Sequence, residues 1–268
     1  MSRSITNYWK TFIRYLALHL QSGMEYQRAF WLQVAGMMLN NGAFVVFWKV
    51  IYAKFGQSFA ASGIAFSEVM LIWALASSSF GFCFAFLAGA RELSSYIYTG
   101  KLDVYLLYPK NPLYLVAISK SQTSAWGDLA YGYILYFLFV PVTAWSLITF
   151  TIMVVLSGIF MASVMVMANS LSFLWGNAED FAQTLLGGLV MFGIYPERIF
   201  STEMKFLLFS VIPVGFLIYL PVRAILHFNP WLMILLLATN AAMVGLAWLT
   251  FRLGLSRYES GNLFVATR

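Results

Sequence analysis

From residue 129 to residue 175 the chain carries not one charged side chain. A bilayer crossing needs about 20 consecutive apolar residues, so this stretch alone has room for two. Further long apolar runs lie on both sides of it. Of the 268 residues, 61% are hydrophobic and only 10% charged, and the mean hydropathy is +0.79. Polar cover on that scale cannot coat a soluble core. The barrel alternative would show alternating segments of about ten residues, and the sequence has none. The expected fold class is therefore an all-α polytopic membrane protein, one domain over residues 1–268.

The first stretch, residues 1–28, is expected at the membrane surface. Over 5–22 the side chains Ile5, Tyr8, Trp9, Phe12 and Leu16 recur on one helical face, and Asn7, Lys10, Arg14 and Gln21 on the other. Aromatics opposite cations suit a helix lying among lipid headgroups. Lys10, Arg14 and His19 also interrupt any continuous apolar core of a cleavable signal peptide. Spans are expected at 29–53, 64–90, 125–147, 148–175, 181–195 and 231–251. The first would be roughly 37 Å long, enough for a tilted crossing. Asn40 and Asn41 fall near its middle, where amides need protein partners or a water path. Helix packing through hydrogen bonds is the expected role, a pathway lining the alternative. Gly81 and its small neighbours should let the second span pack closely. The polar patch 119–124 is expected to extend the third helix into water. Asp128, near the end of that span, is expected to be solvated or paired with Lys120.

Two apolar pieces are awkward. Residues 181–195 are barely long enough to cross, and 206–220 is broken by Pro213 and Gly215 and followed by Pro221. Charge parity separates the options. With six spans, one side holds Arg3, Lys10, Arg14, Arg28, Arg91, Lys101, Lys110, Lys120, Arg252, Arg257 and Arg268. The other holds Lys49, Lys54, Arg198, Lys205 and Arg223. That is 11 against 5, whereas seven spans move three tail arginines across and give 8 against 8. Six spans with cytoplasmic termini are therefore expected. The segment 206–226 would then be a re-entrant hairpin on the outer face, because helix breakers suit a return.

Chemistry is sparse. The one Gly-Lys pair, Gly100-Lys101, is followed by Leu102, so no P-loop is present. His19 and His227 lack companions at metal-ligand spacing, and Gly-x-Ser-x-Gly is absent. Cys83 stands alone in an apolar run and reads as packing. The net charge of +6 is spread over the ends of apolar runs, which gives nucleic acid no basic patch. No catalytic, cofactor or metal site is expected.

One interval stands out. Residues 91–112, RELSSYIYTGKLDVYLLYPKNP, are charged and punctuated by Gly and Pro between two spans. They are too many for a simple turn and enough for short surface helices. Tyr96, Ile97, Leu102, Leu106 and Leu107 can form a docking face. Gly100 can separate two helices, and Pro109 and Pro112 can set the return into the third span. The run Glu92 … Thr99-Gly100-Lys101-Leu102-Asp103 … Leu107 … Pro109 … Asn111-Pro112 resembles the coupling-loop motif of ABC-2 type transporter permeases. The order of elements and the tail Phe251-Arg-Leu-Gly-Leu-Ser-Arg-Tyr258 are similar to a bacterial subfamily of them.

That resemblance implies the transmembrane half of an ATP-driven exporter in the cytoplasmic membrane. It implies a second permease subunit, identical or related, and a separate cytosolic ATPase that would carry ATP and Mg. The ATPase would seat on the loop through Glu92, Tyr96, Thr99, Gly100, Lys101, Leu102, Asp103, Leu106, Leu107 and Pro109. Cargo in this family is lipid, glycolipid or polysaccharide, or amphipathic drug. The competing classes are a gradient-driven secondary transporter or channel, which would need membrane-embedded ionisable groups, and a membrane-bound transferase, for which no constellation exists.

Overall fold

The computed structural model describes residues 2–61 and 63–259, so the tail residue Arg268 lies outside the described residues. Their regular structure is helical: α1 (Ser2–Met24), α2 (Gln27–Ala61), α3 (Phe66–Phe86), α4 (Leu93–Tyr98), α5 (Leu102–Leu106), α6 (Pro112–Ala117), α7 (Ala125–Phe139), α8 (Ala144–Ser170), α9 (Ser172–Trp175), α10 (Glu179–Gly193), α11 (Thr202–Ser210), α12 (Leu220–Leu226) and α13 (Pro230–Leu255). A π-helical turn, Gly215–Tyr219, leads into α12.

Among the described residues, four helices are long and apolar enough to cross a bilayer: α2, α3, α8 running on through α9, and α13. The pair α11 and Gly215–Leu226 makes a fifth if its two arms count as one crossing. Repeated crossings make this a multi-pass membrane protein. Helices α7 and α10 have 15 residues each, about 22 Å of helix, which is short of the hydrocarbon thickness. The third expected span reaches only Phe139. Val140 is extended, Pro141 follows, and Thr143 caps α8 by accepting from the Ser146 amide at 3.0 Å. Ser146 Oγ in turn accepts from the Thr143 amide at 2.9 Å. This reciprocal cap starts a new helix at Ala144, so residues 144–147 belong to α8.

Helix α3 is the centre of the bundle. Of its most apolar stretch 72% is buried, against 17% for α2 and for α13. Its small residues explain the fit. A Cβ on Gly81 would sit 2.3 Å from the Leu129 amide nitrogen, and one on Gly132 2.4 Å from the Ala74 carbonyl oxygen. Helices α3 and α7 thus touch backbone to backbone, and only glycine permits it. Phe84, Phe150 and Tyr136 fill the space around this seam.

Contacts sort the connections into two ends. At one, the Arg198 guanidinium donates to the Gly63 carbonyl, Phe66 packs edge-on against Phe139, and Trp145 against Phe228. At the other, Asn169 donates to the Ala90 carbonyl at 3.2 Å, Arg91 to Gln183 at 3.1 Å, and Phe173 packs on Tyr258. The arms α11 and Gly215–Leu226 meet at 84°. Pro213 breaks the rod, and Gly215 lets the Phe209 ring close over the bend, 2.3 Å from where a Cβ would be. Ser157 on α8 donates to the Leu217 carbonyl at 2.7 Å, supplying the donor that the irregular turn needs away from water.

Candidate functional site: the charged loop and a buried carboxylate

The loop 91–112 folds as two short helices around a corner. Thr99 Oγ1 donates to the Ser95 carbonyl at 2.6 Å and closes α4. Gly100 then takes φ +71°, the left-handed conformation that ends helices cheaply only at glycine. Helix α5 follows. Asn111 caps α6 by accepting from the Tyr114 amide at 3.3 Å, with Pro112 in the first helical position.

The corner divides the loop's apolar residues. Leu93, Ile97 and Leu102 are buried in the bundle, Leu93 and Leu102 completely. Tyr96 is half-buried, its ring 5.4 Å from that of Tyr105. The expected docking face therefore loses Ile97 and Leu102, which anchor the loop instead. Leu106 and Leu107 stay outside, and Tyr98, Val104 and Tyr108 join them. Leu107 is 85% exposed, while Val104 and Tyr108 are each 55% exposed. Lys101 and Pro109 are exposed beside them. Helices of five and six residues are too short for periodicity to tell which side faces in, so the sequence could not divide these residues.

Apart from the exposed Lys101, the loop's charges are engaged within the chain. Lys120 pairs with Glu92 at 3.0 Å, an exposed contact worth under about 1 kcal/mol. The Asp103 carboxylate lies beside the Tyr258 hydroxyl. Burial first, and then that carboxylate, push the Tyr258 phenol above its ordinary range. Ser94 and Ser172 share a hydrogen bond of 2.6 Å, and Ser94 donates to Asn177 Oδ1 at 3.2 Å. The expected surface helix is also tied in. Tyr114 donates to the Tyr8 carbonyl at 2.8 Å, the Asn111 amide to the Tyr8 hydroxyl at 3.2 Å, and Lys110 to Thr11. His19 Nε2 lies 3.1 Å from the Ile118 carbonyl oxygen. Trp9 departs from this packed face and is 62% exposed. The loop is thus fastened to α1, α9 and the tail after α13, while its tip is apolar and bare.

The second feature lies inside the bundle. Asp128 is neither solvated nor paired with Lys120. It is 3% exposed and accepts from Asn41 Nδ2 at 2.7 Å. The reason is the segment before α7. Residues 119–124 do not extend that helix; the Gln122 amide donates to the Phe84 carbonyl at 2.9 Å. Helix α7 therefore starts deep, beside α2 and α3. Ser77 donates to the Asp128 carbonyl at 2.9 Å and Tyr131 to the Asn41 carbonyl at 3.0 Å. Asn41 is thus packing glue, while Asn40 faces outward. Replacing Asn41 by leucine leaves the carboxylate without its donor. Thermal unfolding should then report a loss of about 1–3 kcal/mol, and an unchanged melting temperature would contradict the pairing.

Residues 38–261 match the family model described as ABC-2 family transporter protein. The chain belongs to the ABC-2 transporter family. The matched region holds the loop, Asn41 and Asp128, and begins after α1. No match was found among curated proteins or among solved structures. With its several membrane-crossing helices, this family member is the permease component of an ABC transporter.

Proposed function

We propose that the chain is the permease subunit of an ATP-driven exporter in a bacterial cytoplasmic membrane. A separate cytosolic ATPase docks on residues 91–112 and carries the ATP and Mg. The observation that carries this reading is the bare apolar tip of Leu106, Leu107, Val104 and Tyr108 on a loop otherwise stitched to the bundle. Exposed apolar clusters of this kind mark partner surfaces. A loop fastened to α1, α9 and the tail moves with them, so closure of a docked ATPase would displace helix ends and not merely bend a tether. The cargo is a lipid, a glycolipid or polysaccharide, or an amphipathic drug. Two permease subunits enclose its path, with the outward faces of α2 and α13, Asn40 among them, available for that contact.

In this reading both termini and the loop face the cytoplasm, and residues 202–226 form an outer re-entrant hairpin. The excess of cations at the loop and tail end supports the orientation. The hairpin is supported by the contacts of its two flanks, Arg198 with Gly63 and Phe228 with Trp145. Cysteines placed at Ile199 and His227 should react with an impermeant maleimide added outside intact cells, and one at Lys101 should not. Outside labelling at Lys101, or opposite behaviour of the first two, would overturn the topology.

The gradient-driven alternative gains one observation, since Asp128 is a membrane-embedded ionisable group. Its carboxylate is held by an amide, and the turn of the broken helix lines the same cavity through Leu217 and Ile218. Affinity purification from native membranes separates the readings. A copurifying ATPase with a P-loop is expected, and its absence would favour the gradient-driven class.

A further inference from the structure

The carboxylate of Asp128 opens on a cavity of about 110 Å³ lined by Asn41, Trp73, Ser77, Phe80, Met161 and Leu217, among others. Oδ1 accepts from Asn41. Oδ2 is buried with no hydrogen-bond partner. Ser77 cannot supply one, because its hydroxyl is directed to the Asp128 main-chain carbonyl. A carboxylate oxygen left unpaired at this depth is costly unless a cation or donor comes to it.

The lining says which cation. An inorganic cation needs several oxygen ligands, and among the described residues no three His, Cys, Asp or Glu side chains gather to hold a metal ion. The cavity walls are instead mostly apolar and aromatic. The rings of Trp73 and Phe80 line it, and an aromatic ring can add cation–π attraction to a positive charge. A second groove of about 410 Å³ shares Asn41 and Trp73 as walls with the cavity and is lined further by Asn40, Phe44, Phe47 and Tyr195. A charged head on the carboxylate can therefore trail an apolar body along α2, where the helix faces outward.

We propose that Asp128, Asn41 and the aromatic walls form a binding site for an amphipathic organic cation, an ammonium group on an apolar body. This narrows the cargo of the exporter proposed above to such amines and rests on that reading for its physiological role. The site itself does not depend on the ATPase. Asp128 holds the charge, Asn41 orients the carboxylate, and the apolar cavity excludes the water that would otherwise compete.

The test is calorimetric titration of the full-length purified chain, without ATP or partner, with octylammonium and with 1-octanol, its neutral analogue of equal length. Octylammonium should bind saturably, and Asp128→Asn should weaken it by about 30-fold or more. Octanol should bind weakly and equally to both, and Asp128→Glu should restore much of the octylammonium affinity. If Asp128→Asn fails to fold, Ala76→Leu fills the cavity and leaves the carboxylate in place, and it too should lose octylammonium. Equal octylammonium affinity in wild type and variant, no saturable binding at all, or octanol binding as tightly as octylammonium would each overturn the site. Any of these would leave the ATPase-driven reading standing, which copurification of the partner tests separately.

Discussion

Changing Val104 and Leu107 together to aspartate is expected to leave the permease inserted and folded but to uncouple it. Both side chains are more than half exposed, so the fold should not register their loss. At a docked interface they would be central apolar anchors. Two buried, unpaired charges there should remove about 2–4 kcal/mol of binding, a fall of roughly 30-fold to 1000-fold. Cargo-stimulated ATPase activity and vectorial transport should fall together by that order. Asp103→Lys with Leu106→Asp should act similarly, adding the loss of the Asp103–Tyr258 contact. Gly100→Pro should uncouple by another route, because φ +71° is closed to proline and the corner between α4 and α5 would reopen. Normal transport in all three variants would remove the loop from the coupling path.

A marked loss of stability is expected from substitutions at the seam of α3 and α7. Gly81→Ala places a carbon 2.3 Å from a backbone nitrogen, and Gly132→Ala places one 2.4 Å from a backbone oxygen. Backbone cannot rotate aside as a side chain can, so the helices must part. Each change should cost about 1–3 kcal/mol, and leucine at either position more. Gly187→Ala on α10 is the control. An added Cβ there meets nothing within 4 Å, so stability should stay within about 1 kcal/mol. Size-exclusion chromatography of heated, detergent-solubilised protein reads all of these. Equal melting of Gly132→Leu and Gly187→Ala would refute the close seam.

Much of this architecture is legible in the sequence because apolar length and helix breakers are local signals. Gly100, Pro112 and Pro213 each mark a break that the structure contains, and the amphipathic pattern of residues 5–22 falls within α1. The less legible parts depend on partners far along the chain. Nothing near Asp128 announces that residues 119–124 would bond back to Phe84, or that Asn41 would supply its donor from 87 positions away. The charge-free run from 129 to 175 hides the break at Pro141, since its cap is made by the uncharged Thr143 and Ser146. In the loop, Ile97 and Leu107 look alike as apolar residues. Only the packing of α4 against α8 and α9 turns one inward and leaves the other bare.

In the proposed exporter the tip of the loop meets an ATPase. A photoreactive amino acid at position 107, activated in native membranes, tests it most directly. The expected result is a crosslinked product whose mass and peptides identify a cytosolic protein with a P-loop, lost when Val104 is changed to aspartate. Crosslinks to lipid alone, or to the permease's own helices, would contradict it.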